Sequence, residues 1–260
     1  LRAAAITVAG VVALAGAGLV AFEVAKHQMG PPPITAADDL STIVVDRKER
    51  LLRAFTTNDH RWRLPISTKD VDQRYLAMLL AFEDRRFHQH HGVDPRALLR
   101  AAVQLVRNGR IVSGASTLTM QVARLLEGRH ERTGAGKLRQ IVRALQIEQQ
   151  QRKDEILDLY LRMAPFGGNL EGVRAASLAY FGKEPKRLSV GEAALLVALP
   201  QSPEARRPDR HPHAARKARD RVLARAVEEG VIKAAEAERA RAAPVPHVRR
   251  AFPMLAPHLA

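Results

Sequence analysis

The chain has 260 residues, enough for one sizeable domain with extensions. Lys and Arg number 42 against 27 Asp and Glu, a formal charge of +15, which suits polyanionic partners: nucleic acid, anionic lipid head groups or phosphorylated substrates. The absence of cysteine excludes a disulfide framework and a thiolate metal site, and aromatics at 4% argue against a base-stacking platform.

Residues 3–22 carry no charge. As a helix they would rise about 30 Å, one hydrocarbon core, so residues 1–23 are read as a single membrane anchor. A signal-peptide core and an Ala-rich soluble helix are its rivals, because Ala and Gly make insertion weakly driven. Gly30-Pro31-Pro32-Pro33 breaks any helix leaving that segment and makes 24–40 a stiff linker. Across 41–67, the β-type runs TIVV and LLRAF flank the charged turn DRKER and predict a hairpin.

From Thr68 the pattern turns helical. Val71, Tyr75, Met78, Leu79 and Phe82 fall at helical spacing and run into Glu83, which places that carboxylate at a helix C-terminus. Asp94-Pro95 predicts the next helix start, running to Asn108-Gly109. Further helices are predicted over 116–126, 137–150, 153–161 and 170–180, with Gly167-Gly168-Asn169 as a loop. Ser189 and Glu192 form a capping box before AALLVAL, and a basic helix covers 212–229. Residues 211–260 are read as that basic helix followed by the start of a linker.

Three segments carry chemistry. EDRRFHQHHGVD (83–94) crowds acids, arginines, three His and a turn into twelve positions. Partial burial of Glu83 would lift its pKa toward neutrality and make it a general base. The plainer reading pairs Glu83 and Asp84 with Arg85 and Arg86. The His spacing lacks the i, i+4 pair of a zinc protease, so His90 is read as a loop-holding partner and no metal site is expected. In GASTLTMQ (114–121), Thr117, Gln121 and Arg124 share a helix face, with Gly114-Ala115 letting backbone N–H groups approach an anion. On the Lys137 helix, Lys137 and Gln140 lie at i, i+3, and Leu138, Ile141, Val142 and Leu145 are predicted to face the core. A cation there would neutralise a departing diphosphate.

With APFGGNLEGVRAAS (164–177) and GEAALLVALPQSPEARRPDR (191–210), these motifs stand in the order of a known family. Over roughly residues 41–208 the chain resembles the peptidoglycan glycosyltransferase domain of glycosyltransferase family 51. Within it, the chain is most similar to the N-terminal part of penicillin-binding proteins of the 1C class. The resemblance implies a mainly α, lysozyme-like two-lobed domain over 68–210, with a small N-terminal β-hairpin and an N-terminal transmembrane helix. It implies polymerisation of lipid II into β-1,4 glycan with release of undecaprenyl diphosphate and inversion, Glu83 serving as base. Asp84, Phe87, His90, Ser116, Thr117, Thr119, Gln121, Arg124, Lys137 and Gln140 then match sugar- and diphosphate-binding positions.

The implied partners are lipid II, the growing lipid-linked chain, the bacterial inner membrane and a C-terminal transpeptidase domain absent from these residues. The implied location is single-pass, with the domain on the periplasmic side. No dedicated cofactor is expected; Mg²⁺ enters at most as an aid to diphosphate departure. No Ser-x-x-Lys motif occurs, so penicillin binding is not assigned here.

Some positions depart from the family pattern. Gln140 stands where many members carry a second glutamate, Glu148 is poorly placed to replace it, Met120 replaces a Gln, Arg124 a Lys and Arg162 an Asn. Two other readings stay open. A glycan-cleaving relative would need a second acid, which Gln140 does not supply. A non-catalytic scaffold would bind lipid II without turnover. Nucleic-acid binding explains the charge but none of the motifs.

Overall fold

The computed structural model describes residues 16–18, 20–108, 116–128 and 133–255. Most of the expected anchor and the Gly114-Ala115 turn lie outside them. Residues 16–18 and 20–29 are helical. Among the described residues, no helix is long and apolar enough to cross a membrane.

The hairpin forms as the sequence predicts. β1 (Ile43–Val45) and β2 (Leu51–Ala54) pair antiparallel, with Ile43 opposite Ala54. The charged turn closes on Asp46, whose Oδ1 accepts from the backbone N–H groups of Lys48 and Arg50. β3 (Trp62–Arg63) was not predicted. It pairs in parallel with β4 (Leu170–Glu171), where the sequence pattern had suggested the start of a helix. Gly172 explains the correction. Its φ is +81°, and a Cβ there would meet the Arg162 carbonyl oxygen at 2.7 Å, so the chain must turn before the helix begins.

The helices follow in order. α1 (Gln73–Glu83) starts on the Asp72 carboxylate and buries Tyr75, Met78 and Leu79. α2 (Pro95–Asn108) starts on Asp94, which accepts from the N–H groups of Arg96 and Ala97. α3 (Leu118–Glu127), α4 (Gly134–Gln150) and α5 (Lys153–Met163) lead to α6 (Val173–Phe181), α7 (Val190–Ala198) and α8 (Pro212–Glu228). The Ser189–Glu192 capping box opens α7, as predicted. α7 is apolar on every side and forms the centre of the core, packed against α1, α6 and α8.

α9 (Ala234–Ala242) lies in the segment read as linker. It packs on α7 and α8. Arg219, 1% exposed, donates to the carbonyls of Arg241 and Ala243 at the end of α9. The chain then returns to the hairpin. Phe252 stacks on Trp62 with ring centroids 4.3 Å apart, and Leu255 N–H donates to the Leu52 carbonyl. Long-range burial of this kind leaves little local pattern, which is why the basic composition read as a tail.

α4 also departs from expectation. Its buried side chains are Arg143, Ala144, Gln146 and Ile147; Leu138 is 66% exposed, and Ile141, Val142 and Leu145 are only half-buried. The helix is rotated because its polar side chains have buried partners. Arg143 donates to the carbonyls of Met29 and Gly30 and pairs with Glu127, while Gln146 donates to Gly30. These carbonyls end the helix over 20–29 and have no partners within it. Replacing Arg143 with Ala leaves the Met29 carbonyl and Glu127 without this partner, and thermal denaturation is expected to show a loss of roughly 3 kcal/mol.

Candidate active site

α1 ends on Glu83 because Asp84 N–H closes the last turn on Leu80 and the backbone then leaves helical geometry. The Glu83 carboxylate therefore projects from a rigid helix end. Neither it nor Asp84 pairs with the adjacent arginines: Arg85 reaches Glu229, and Arg86 binds Asp94. Glu83 instead accepts two amide hydrogen bonds, one on each oxygen. Gln121 Nε2 on α3 donates to Oε2 at 2.8 Å, and Gln201 Nε2 donates to Oε1 at 2.7 Å.

Crowding around this half-buried carboxylate pushes its pKa up, by desolvation of the charged form. The two amides, then Arg206 and Arg124, oppose that shift without cancelling it. The hydroxyls of Tyr75 and Tyr160, both fully buried, are pushed up by burial and by the Glu83 charge.

Asp84 faces the other way, into the protein. Its oxygens accept from His90 Nε2 at 3.0 and 3.1 Å and from the N–H of Leu118, the first residue of α3, at 2.9 Å. The start of α3 thus meets a carboxylate of the protein itself. One buried acid fixes the motif loop and the helix carrying Gln121 and Arg124. Asp84→Ala strips the partner from a buried N–H and from His90, so denaturant melting is expected to show roughly 3 kcal/mol of destabilisation.

Thr117 was expected beside Gln121 and Arg124. It is the N-cap of α3: its hydroxyl accepts from Met120 N–H and donates to the Gly92 carbonyl at 2.5 Å. Thr119 is fully buried and donates to Glu148 at 2.6 Å. Glu148 also pairs with Lys153, whose ammonium lies 4.3 Å from the centroid of the buried Phe87 ring. Asp84, Phe87, His90, Thr117 and Thr119 therefore form the floor under the site rather than its exposed surface. Gly92 completes the floor at φ +83°, where a Cβ would stand 2.8 Å from the Ala144 carbonyl oxygen.

The exposed side is cationic. Lys137 Nζ donates to Ser116 Oγ at 2.5 Å and to Gln140 Oε1 at 3.3 Å. Burial, then the like charge of Arg124, pushes its pKa down. Two cations close enough to act on one another suit an anion. A cavity of about 740 Å³ opens beside Glu83, with Ser116 and Asp94 on one side and Arg100 and Arg221 among its other walls. Arg206 adds a further cation, donating to the Ala198 carbonyl and to Gln201 Oε1.

Sequence reasoning missed Gln201 and Arg206 as site residues. The motif ALPQSPEARRPDR was visible, but only the fold brings Gln201 back across 118 positions to Glu83. Arranged this way, the site holds a carboxylate of raised pKa, several cations and a solvent-open cavity.

Comparison with known proteins points the same way. The sequence model of the transglycosylase family matches residues 48–227. Penicillin-binding protein 1C of Escherichia coli (strain K12) is 46% identical over 231 residues, covering 89% of this chain and 29% of that protein. Penicillin-binding protein 1A of Aquifex aeolicus (strain VF5) is 37% identical over 238 residues, covering 90% of this chain and 32% of that protein. A crystal structure of penicillin-binding protein 1A from Haemophilus influenzae aligns with a TM-score of 0.46 at 21% identity, over 82% of this chain and 22% of that one. The chain thus spans about a third or less of the length of these relatives. It is mainly helical with small sheets and belongs to the transglycosylase family.

Proposed function

We propose that this domain is a peptidoglycan glycosyltransferase that polymerises lipid II into β-1,4 glycan in bacterial cell-wall synthesis. The observation that carries the reading is the placement of Glu83: a carboxylate of raised pKa on a rigid helix end, at the edge of a cavity whose walls carry more arginines than further acids.

In this reading the 4-hydroxyl of the acceptor sugar donates its proton to Glu83. The oxygen attacks the anomeric carbon of the lipid-linked donor from the face opposite the departing diphosphate, so the configuration inverts. The C–O bond to the diphosphate breaks as the new glycosidic bond forms. Lys137 and Arg124 receive the developing negative charge. Their hydrogen-bonding groups are already oriented by Ser116 and by α3, so little reorganisation accompanies the reaction. A divalent ion such as Mg²⁺ would travel with the diphosphate and add to that neutralisation.

Membrane attachment belongs to the same proposal. Leu99, Val103 and Val106 on α2 and Leu138 on α4 turn apolar surface outward, which suits a lipid-linked substrate drawn from a bilayer. The lysozyme-like two-lobed arrangement, the N-terminal anchor, the periplasmic placement and a following transpeptidase domain complete the reading.

A polymerisation assay tests it. Protein given lipid II should lengthen glycan, and protein given finished glycan should leave its length unchanged. Shortening of finished glycan would favour a cleaving enzyme, and lipid II binding with no product would favour a scaffold.

A further inference from the structure

We propose that Gln201 is the positioning residue of the base: it holds the second oxygen of Glu83, and Arg206 fixes the orientation of its amide. The inference rests on the reading of Glu83 as general base.

Three observations carry it. First, the two carboxylate oxygens are gripped from separate elements, Oε2 by Gln121 on α3 and Oε1 by Gln201 in the turn after α7. A carboxylate held at one oxygen can swing about its last side-chain torsion; one held at both has its plane fixed. The remaining lone pairs then point at one place, where the acceptor hydroxyl must stand.

Second, the amide orientation of Gln201 is determined by its neighbours. A guanidinium has no acceptor and a carboxylate has no donor. With Arg206 on one side at 3.0 Å and Glu83 on the other at 2.7 Å, the oxygen must face Arg206 and the NH₂ must face Glu83. Arg206 is itself anchored to the Ala198 carbonyl at 2.7 Å. The grip therefore runs from the end of α7, the most buried helix, to the reacting oxygen.

Third, the chemistry of the grip suits a base. A neutral amide stabilises the ionised form without cancelling its charge, whereas a cation in direct contact would pair with it and weaken its pull on a proton. The groups that act on Glu83 are Tyr75 on its own helix, Tyr160 on α5, Arg124 and Gln121 on α3, and Gln201 and Arg206 after α7. Of these, only the two amides touch it. Burial raises its proton affinity and the amides limit the rise.

The test uses Gln201→Met and Arg206→Met, with Gln201→Lys as the variant that keeps a donor. Three quantities are read: kcat and KM for lipid II, the pH dependence of kcat/KM, and the titration of the Glu83 carboxyl by carbon-13 NMR. Gln201→Met should lower kcat roughly tenfold with KM little changed, move the acid limb to higher pH, and raise the NMR titration in step. Arg206→Met should move both in the same direction by less, since the amide stays but turns freely. Gln201→Lys should move both to lower pH.

An acid limb and an NMR titration that stay where they are in Gln201→Met, at native thermal stability, would overturn the proposal. So would a rise in KM with kcat intact, which would make Gln201 a substrate contact. If Gln201→Met fails to fold, Gln201→Lys alone decides by the direction of its shift. The NMR titration reports the grip whether or not Glu83 is the base; retained turnover in Glu83→Gln would sink the functional reading alone.

Discussion

Glu83→Gln is expected to abolish glycan formation from lipid II, by at least about a thousandfold, while the protein keeps its fold. The substitution preserves size and removes the carboxylate that ends α1. Stability should change little or rise at neutral pH, and the sign follows from linkage. Burial raises the folded-state pKa of Glu83 above its unfolded value, so the native state binds that proton more tightly than the unfolded chain. The charged carboxylate therefore costs stability as pH climbs past the unfolded pKa, and a neutral amide escapes that cost. Circular dichroism melting together with a polymerisation assay checks both halves. Wild-type turnover should fall on the acid side at a pH above the ordinary carboxylate range.

Lys137→Ala is expected to lower kcat about a hundredfold or more with a stability change under about 1 kcal/mol. The reason for the split is geometric. Lys137 is half-buried and, among the described residues, bonds to Ser116 and Gln140, both able to reach water, so its removal opens no cavity in the core. In the proposed reaction its charge would meet the departing diphosphate. Single-turnover measurement with lipid-linked donor separates the loss of chemistry from a loss of binding. Lys137→Arg should recover part of the rate, because charge returns with a different hydrogen-bonding shape.

Much of this site was legible in the sequence because its parts are local. Tyr75, Met78 and Leu79 on a helical stripe place Glu83 at a helix end, and the structure ends α1 on that residue. Asp94-Pro95 and Ser189–Glu192 announced their helices through capping chemistry that needs only neighbours in sequence.

What was not legible depends on distant partners. Thr117 looked like a surface hydroxyl until its bond to Gly92 placed it inside. The apolar stripe of α4 predicted the wrong face because the buried partners of Arg143 and Gln146 lie more than a hundred positions earlier. Leu170–Glu171 is too short to read as a strand without Trp62–Arg63 beside it. Gln201 carried no signal of its own, since an amide gains meaning only from what faces it.

The clasp made by Arg143 and Gln146 has a mechanical consequence. It bolts the carbonyls of Met29 and Gly30, at the end of the helix over 20–29, to the same rod that bears Lys137 about two turns away. Tilting or pulling the leading helix cannot be absorbed by a slack hinge; it must be delivered as leverage to the rod. Any displacement of that leading helix is therefore shared by the rod that carries the ammonium.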